Sequence, residues 1–304
     1  MKTRSSILQP KIFSLLICLF LIQETLIGQN NLLNAQVPQD IGQFTEQQIE
    51  ANDDTPIKYG YVDDRDVLWS KTIWETIDLN ERVNFPYYYP GIDLGPQRRS
   101  LFSVILSGIK SGEITEVYDD GYFTNKKLVN ELQLYVDIES DGYAEAANSG
   151  TYTEEELQQE FIDRVFVTPE KIVQYRIKGT WYFNKRLGEL RYRLLGICPV
   201  IKPLQKIEGA DPNEIIPLFW VWYPDARELL NKHTIFNKRN SAQPISFDVM
   251  LNSRRFSSII YKEENEYEDR TIEEYISKDA LRQMLESERI KSVIRDFEQD
   301  MWNN

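Results

Sequence analysis

The sequence predicts an α+β fold: an antiparallel sheet built on a long hairpin, with helices packed against it and a helix at the C-terminus. Three observations carry that expectation. From Val173 the chain alternates, with Val173, Tyr175, Ile177, Trp181 and Phe183 on one face and Gln174, Arg176, Lys178 and Thr180 on the other, the period of a half-buried strand. After a loop at Asn184–Glu189 the alternation resumes. Leu190, Tyr192, Leu194, Cys198 and Val200 fall on one side and Arg191 and Arg193 on the other, which makes the two runs a hairpin. Finally, Leu218-Phe219-Trp220-Val221-Trp222-Tyr223 is apolar on both faces and belongs in the middle of the same sheet.

In chain order, residues 1–28 read as a signal peptide. Lys2, Arg4 and Lys11 form a basic front, and Ile12–Ile22 is an apolar run broken only by Ser14. That run is too short to span a membrane and suits export. The expected cut falls after Gly28, leaving Gln29 as the first mature residue. Leu16 and Ile17 before Cys18 do not fit a lipoprotein signal. The removed segment carries three basic residues and Glu24, so the remainder is two charges more acidic than the −13 of the whole chain. Such a chain repels nucleic acid and anionic membrane surfaces. Only Cys198 is left, so no intramolecular disulfide can form, and its place on an apolar strand face suggests an inert, buried thiol.

Residues 29–58 are polar, rich in Gln and Asn and without a sustained period, and read as an extended arm. A core domain is expected over 59–276. Its first element is expected to be a helix capped by Asp66, with Val67, Trp69, Ile73, Trp74 and Ile77 on one stripe. The tryptophans of that stripe are either core or interface anchors. Phe85, Tyr87, Tyr88 and Tyr89 follow in a proline-flanked stretch expected to be extended. They either roof the first helix or offer a sticky surface. With Trp69 and Trp74 they are the candidate partner interface.

A second helix is expected over Ser100–Lys110, ended by Gly112, and a short strand at Ile114–Tyr118. A capping box at Thr153–Glu156 opens a helix carrying Leu157, Phe161 and Val165, and Asp225 caps another. Asp211–Pro217 reads as a loop and Tyr261–Asp269 as an acidic turn. In the last helix, 277–304, Leu281, Met284 and Leu285 lie roughly opposite Val293, Ile294, Phe297 and Met301. Either the helix breaks between them or its halves bury against different surfaces, one of which could belong to another chain.

Catalytic signatures are sparse. His233 is the single histidine, so a histidine-based metal cluster is excluded, and no GxSxG elbow, P-loop or GxGxxG accompanies it. Asp137-Ile138-Glu139-Ser140-Asp141-Gly142 copies the opening of a calcium loop, but its twelfth position is Asn148 rather than the bidentate glutamate. No catalytic residue, metal or cofactor is assigned.

Several long blocks resemble the GldN (PorN) gliding-motility family. They are Asp63–Glu75 continued through Ile77–Arg82 to Asn84–Pro86, SLFSVILSGI (Ser100–Ile109), VYDDGYFT (Val117–Thr124), LFWVWYPDARELL (Leu218–Leu230), FNKRNSAQPISFDVM (Phe236–Met250) and SSIIYKEENEYEDRTIEEYI (Ser257–Ile276). The resemblance implies a non-catalytic periplasmic scaffold of the type IX protein secretion system. It would form a ring with an outer-membrane lipoprotein (GldK/PorK) and contact the periplasmic part of the inner-membrane motor (GldM/PorM). Two other classes compete. A periplasmic hydrolase working through two carboxylates needs a pocket with acids of divergent pKa. A soluble ligand-binding module built on Tyr87–Tyr89 needs a monomer.

Overall fold

The first regular element, Val67–Asp78 (β1), is a strand and not the expected helix. Its β-branched residues Val67, Thr72, Ile73, Thr76 and Ile77 suit a pleated surface. The apparent helical stripe arose because Ile73 and Trp74 are both buried, on opposite faces of a central strand. The computed structural model describes residue 56 and residues 59–302, apart from 93, 95–97, 129–130, 133, 140–142, 144–147, 149–161, 204–213, 236–244 and 278. The chain divides into Met1–Asp53 and Asp54–Asn304, and every described residue belongs to the second unit. The signal peptide, the cut at Gly28 and Gln29, all of the arm but residue 56, and the capping box at Thr153 lie outside the described residues.

Phe85–Tyr88 (α1) is helical where an extended stretch was expected. Pro86 sits in its first turn, where a missing N–H costs nothing. Buried Asn84 fixes this corner: its Nδ2 donates to the carbonyls of Asp78 and Ser257 at 2.7 and 3.0 Å, and its Oδ1 accepts from the Ser257 N–H. Leu101–Ser111 (α2) follows the expectation, capped by Ser100 and ended by Gly112 at φ 80°. Val117–Tyr118 (β2) and Lys126–Lys127 (β3) come next, then Tyr135–Glu139 (β4) paired with Ile162–Phe166 (β5). Val165 therefore lies in a strand, not in the helix expected from Thr153. Asp137 and Glu139 sit in the β4 ladder opposite Arg164 and Ile162, and the rest of the calcium-loop-like stretch beyond Glu139, apart from Tyr143 and Asn148, lies outside the described residues.

Ile172–Asn184 (β6) and Glu189–Ile201 (β7) form the expected hairpin. Ile216–Pro217 (β8), Trp220–Trp222 (β9), Tyr223–Lys232 (α3), Thr234–Ile235 (β10), Ile245–Ser246 (β11), Phe247–Asn252 (α4), Ile259–Glu263 (β12), Ile272–Tyr275 (α5) and Ala280–Trp302 (α6) complete the described elements. The expected loop at Asp211–Pro217 thus ends in β8, and the acidic turn begins only after β12. Helix α3 starts at Tyr223 with Trp222 as its cap residue, so Asp225 lies in the first turn rather than at the cap. The main sheet runs β12-β1-β6-β7-β9-β2-β3, with β8 on β7, antiparallel throughout. Together these elements make an α+β fold.

One irregularity reassigns a face. Lys178 pairs with Gly196 while Gly179 pairs with Leu194, so Leu195 is an extra residue on β7. A one-residue bulge flips everything beyond it. Leu194 and Ile197 join the main core, whereas Cys198 and Val200 bury on the opposite side, against Trp74, Tyr118 and Trp220. The expected single face through Leu194 and Cys198 is therefore broken at Leu195.

The main core joins Ile77, Tyr175, Ile177, Leu194 and Val221 of the sheet to α2, α3 and α4. Farther along the same face, Ile290 and Ile294 of α6 bury against Ile73, Ile260 and Ile272, and Phe297 stacks on Trp69 at 4.7 Å. Between these clusters the carboxylate of Glu75 takes both Arg254 terminal nitrogens at 2.7 and 2.8 Å and the Ser258 hydroxyl at 2.8 Å. Helix α6 also closes the outer edge of β12. The Ile260 N–H donates to Ser287 Oγ and Lys291 Nζ donates to the Ser258 carbonyl, both at 2.8 Å, which blunts an otherwise open strand edge.

Candidate partner interface

The aromatic loop is split by burial. Tyr87 is fully buried, its ring against Phe256 and its hydroxyl donating to the Arg255 carbonyl at 3.4 Å. Tyr88 is partly buried against the main core. Phe85 and Tyr89 are exposed and stack edge-to-face at 5.5 Å. Short helix α1 makes this split, because it turns successive residues in different directions. Trp69 and Trp74, five residues apart, lie on opposite faces of β1. Trp69 is under Phe297, and Trp74 is buried beneath the β2–β3 loop.

Helix α6 is continuous, which resolves the alternative left open by its sequence. Ile290 and Ile294 face the sheet, while Leu281, Met284 and Leu285 are 68%, 54% and 61% exposed. At spacings of three and four these three form one apolar stripe on solvent. Leu281, Met284 and Leu285 are next to Asp279, Arg282 and Glu286, which are satisfied by local ion pairs.

The face of the sheet around Trp74 holds a group of residues that the sequence pattern filed only as the polar side of a strand. Lys178 Nζ lies 4.8 Å from the Trp74 ring centroid, 5.1 Å from Tyr122 and 5.4 Å from Phe123. Lys262 Nζ approaches the same Trp74 and Tyr122 rings at 4.8 and 4.7 Å and donates to the Tyr122 hydroxyl at 2.7 Å. That hydroxyl donates in turn to Asp269 at 2.9 Å. The Arg176 guanidinium lies 5.0 Å over Tyr261, and its buried Nε has no hydrogen-bond acceptor among the described residues. Two glycines admit the covering loop: a Cβ on Gly196 would meet Phe123 at 2.4 Å, and one on Gly121 would meet Trp74 at 3.0 Å. Burial holds the Lys178 ammonium below its ordinary pKa. The carboxylates of Glu264, Asp269 and Asp120 oppose that, and the neighbouring Lys262 charge adds to it. Lys262 is lowered in the same direction, again chiefly by burial. The signal that could have revealed this group is the run Arg176, Lys178 set between aromatic strands.

The groups weighed for catalysis are placed as follows. His233 follows the last turn of α3, and its carbonyl accepts from the Phe247 N–H. Cys198 is fully buried, and burial pushes its thiol up to about 12, far from a reactive thiolate. One carboxylate pair diverges: burial and the Glu116 charge raise Asp225, while Lys126 and the Tyr118 hydroxyl hold Glu116 down. Asp225 is exposed, and Glu116 is tied up in an ion pair with Lys126. A polar cleft of about 470 Å³ is lined by Tyr61, Asp63, Arg65, Asp66, Lys185 and Arg186, with Asp63 engaged by Arg65. Among the described residues no group of three or more His, Cys, Asp or Glu is placed to hold a metal ion, and no helix is long and apolar enough to cross a membrane.

No curated protein matches the chain. A family model does, over residues 62–303, from the turn before β1 through the end of α6. That span takes in the main sheet, the core helices and the exposed stripe of α6 alike. The chain is a member of the GldN family, gliding motility associated proteins.

Proposed function

We propose that this chain is a non-catalytic periplasmic scaffold of the type IX protein secretion and gliding machinery. In this reading it forms a ring with an outer-membrane lipoprotein of the GldK/PorK type and contacts the periplasmic domain of a GldM/PorM-type motor. Residues 1–28 direct export and are removed, and the chain reaches the outer membrane through its lipoprotein partner. Family membership supports the setting. The observation that supports an assembly role most directly is the stripe Leu281, Met284 and Leu285, left on solvent by a helix whose other side is fully used. Exposed apolar surface of this kind marks interaction sites. Phe85 and Tyr89 add a second aromatic patch, whereas Tyr87 and Trp74 serve the fold.

The test is co-purification with the lipoprotein followed by sizing. Wild-type protein is expected in a large complex. Leu281→Glu combined with Leu285→Glu is expected to leave that complex while its melting temperature stays unchanged. A wild-type protein that remains monomeric in the presence of the lipoprotein, in cells whose export survives deletion of this chain, overturns the reading.

A further inference from the structure

We propose that Arg176, Lys178 and Lys262, set around Trp74 and Tyr122, form a carboxylate-binding site that docks an acidic segment of a partner protein. Three cations lie together on this face, yet among the described residues none has a carboxylate within ion-pair distance. This occurs in a chain that carries 48 acidic residues against 35 basic ones. The aromatic contacts do not account for the arrangement. Lys178 and Lys262 share the same two rings, so each gains an attraction to the ring faces while repelling the other. The carboxylates nearest the lysines act only at a distance or through the Tyr122 hydroxyl. A half-buried ammonium without a carboxylate in direct contact is unfavourable, and so is the buried Arg176 Nε left without an acceptor among the described residues. A carboxylate placed between the lysines would supply the direct counter-charge that they lack.

The rim identifies the occupant. Tyr122 is 46% exposed, and Trp222 and Tyr261 are partly buried beside it, so the cations sit in an open, aromatic-edged surface. Aromatic and cationic residues together are the composition of a protein-binding patch. A small free anion is better served by an enclosed cradle of donors. Nucleic acid and anionic lipid are disfavoured by the net charge of −13. The site stands apart from the ring assembly: loss of the Leu281–Leu285 contact would leave it intact.

The experiment titrates a fluorescein-labelled glutamate-rich peptide into the purified protein and its Lys178→Gln and Lys262→Gln variants. Acetate and inorganic phosphate serve as competitors. Binding is expected for the wild type, weakening as salt rises. Each variant is expected to bind roughly tenfold more weakly or worse, whereas Lys110→Gln and Lys171→Gln, on exposed lysines elsewhere, bind as wild type. A second measurement separates binding from structure. Lys178→Met is expected to melt at or above the wild-type temperature, because it removes a repelled charge and keeps the aliphatic stem. Peptide that fails to bind, or binds all variants equally, overturns the proposal. So does acetate or phosphate binding as tightly as the peptide, which assigns the site to a small anion. A clear drop in melting temperature for Lys178→Met also overturns it, since the ammonium would then be a structural element.

Discussion

The two faces of the central sheet treat charge in opposite ways. On the face covered by α2, α3 and α4, buried charges are matched. Glu75, 1% exposed, is held by Arg254 and Ser258. Asp248 takes Arg227 Nε at 2.9 Å and Nη2 at 3.0 Å, together with the hydroxyl of Tyr223 and the amide of Asn252 at 2.8 Å each. On the other face Arg176, Lys178 and Lys262 rest on rings, with no carboxylate in ion-pair reach among the described residues. Both faces belong to the same strands, so backbone geometry does not set the difference. Deep burial does: a charge sealed under helices must be paired to be tolerated at all, whereas a half-covered one can be left for something outside the fold.

The strongest way to break that contrast is to unpair the first face. Glu75→Gln leaves the Arg254 guanidinium buried without its counter-charge, and the expected loss is about 3–5 kcal/mol, read by urea unfolding. A loss below about 1 kcal/mol would mean that water reaches the pair, and the two faces would then be alike. A loss of similar size is expected for Tyr87→Ala, about 3–5 kcal/mol, because a fully buried ring leaves a cavity. Tyr89→Ala, two residues on and 57% exposed, is expected to stay within about 0.5 kcal/mol. Melting curves of the pair check whether burial, and not aromatic character, divides that loop.

Next in size is Cys198→Ser, which probes the apolar part of the second face, where Cys198 packs with Trp74, Val200 and Trp220. The thiol reaches only the Pro199 carbonyl, at 3.5 Å. A hydroxyl desolvated there gains one poorly placed acceptor, so the expected loss is about 1–3 kcal/mol. The thiol should also resist a disulfide reagent until the protein unfolds. Rapid labelling of native protein would show that the cluster is open.

The hairpin β6–β7 and helix α2 were legible because each carries a clear local signal: alternation along β6 and the first half of β7 in one case, and the terminators Ser100 and Gly112 in the other. β1 was not. With both faces covered, its alternation Trp69, Ile73, Ile77 is overprinted by Trp74, and the sum mimics a helical stripe. The side taken by Cys198 was hidden by the bulge at Leu195, which no local residue announces. Tyr87 and Tyr89 could not be told apart, because the α1 turn that separates them is a single short helix. The cation group was missed for a different reason. Lys178 and Lys262 are 84 residues apart in sequence, and only the pairing of β1 with both β6 and β12 brings them to the same tryptophan.

The smallest effect tests whether the second face is held by its aromatic floor or by its hydrogen bonds. Tyr122→Phe keeps the ring under Lys178 and Lys262 and removes only the hydroxyl that accepts from Lys262 and donates to Asp269. Both partners can turn to water, so the expected loss at neutral pH is about 0.5 kcal/mol or less. The alkaline limb is more telling. Burial and the hydrogen bond to Asp269 raise the Tyr122 hydroxyl from 10.0 to about 12. Between those values the folded chain keeps a proton that the unfolded chain has released. Stability contributed by that group is therefore complete below about pH 10 and is lost as pH rises toward 12. Removing the hydroxyl should flatten this limb of the stability curve, by a small amount because the group is nearly half exposed. Urea unfolding of both proteins on either side of pH 10 decides the matter. A variant whose alkaline limb falls as steeply as the wild type's, with a loss well above 0.5 kcal/mol at neutral pH, would mean that the hydroxyl relay holds the loop over Trp74 and that the rings alone do not.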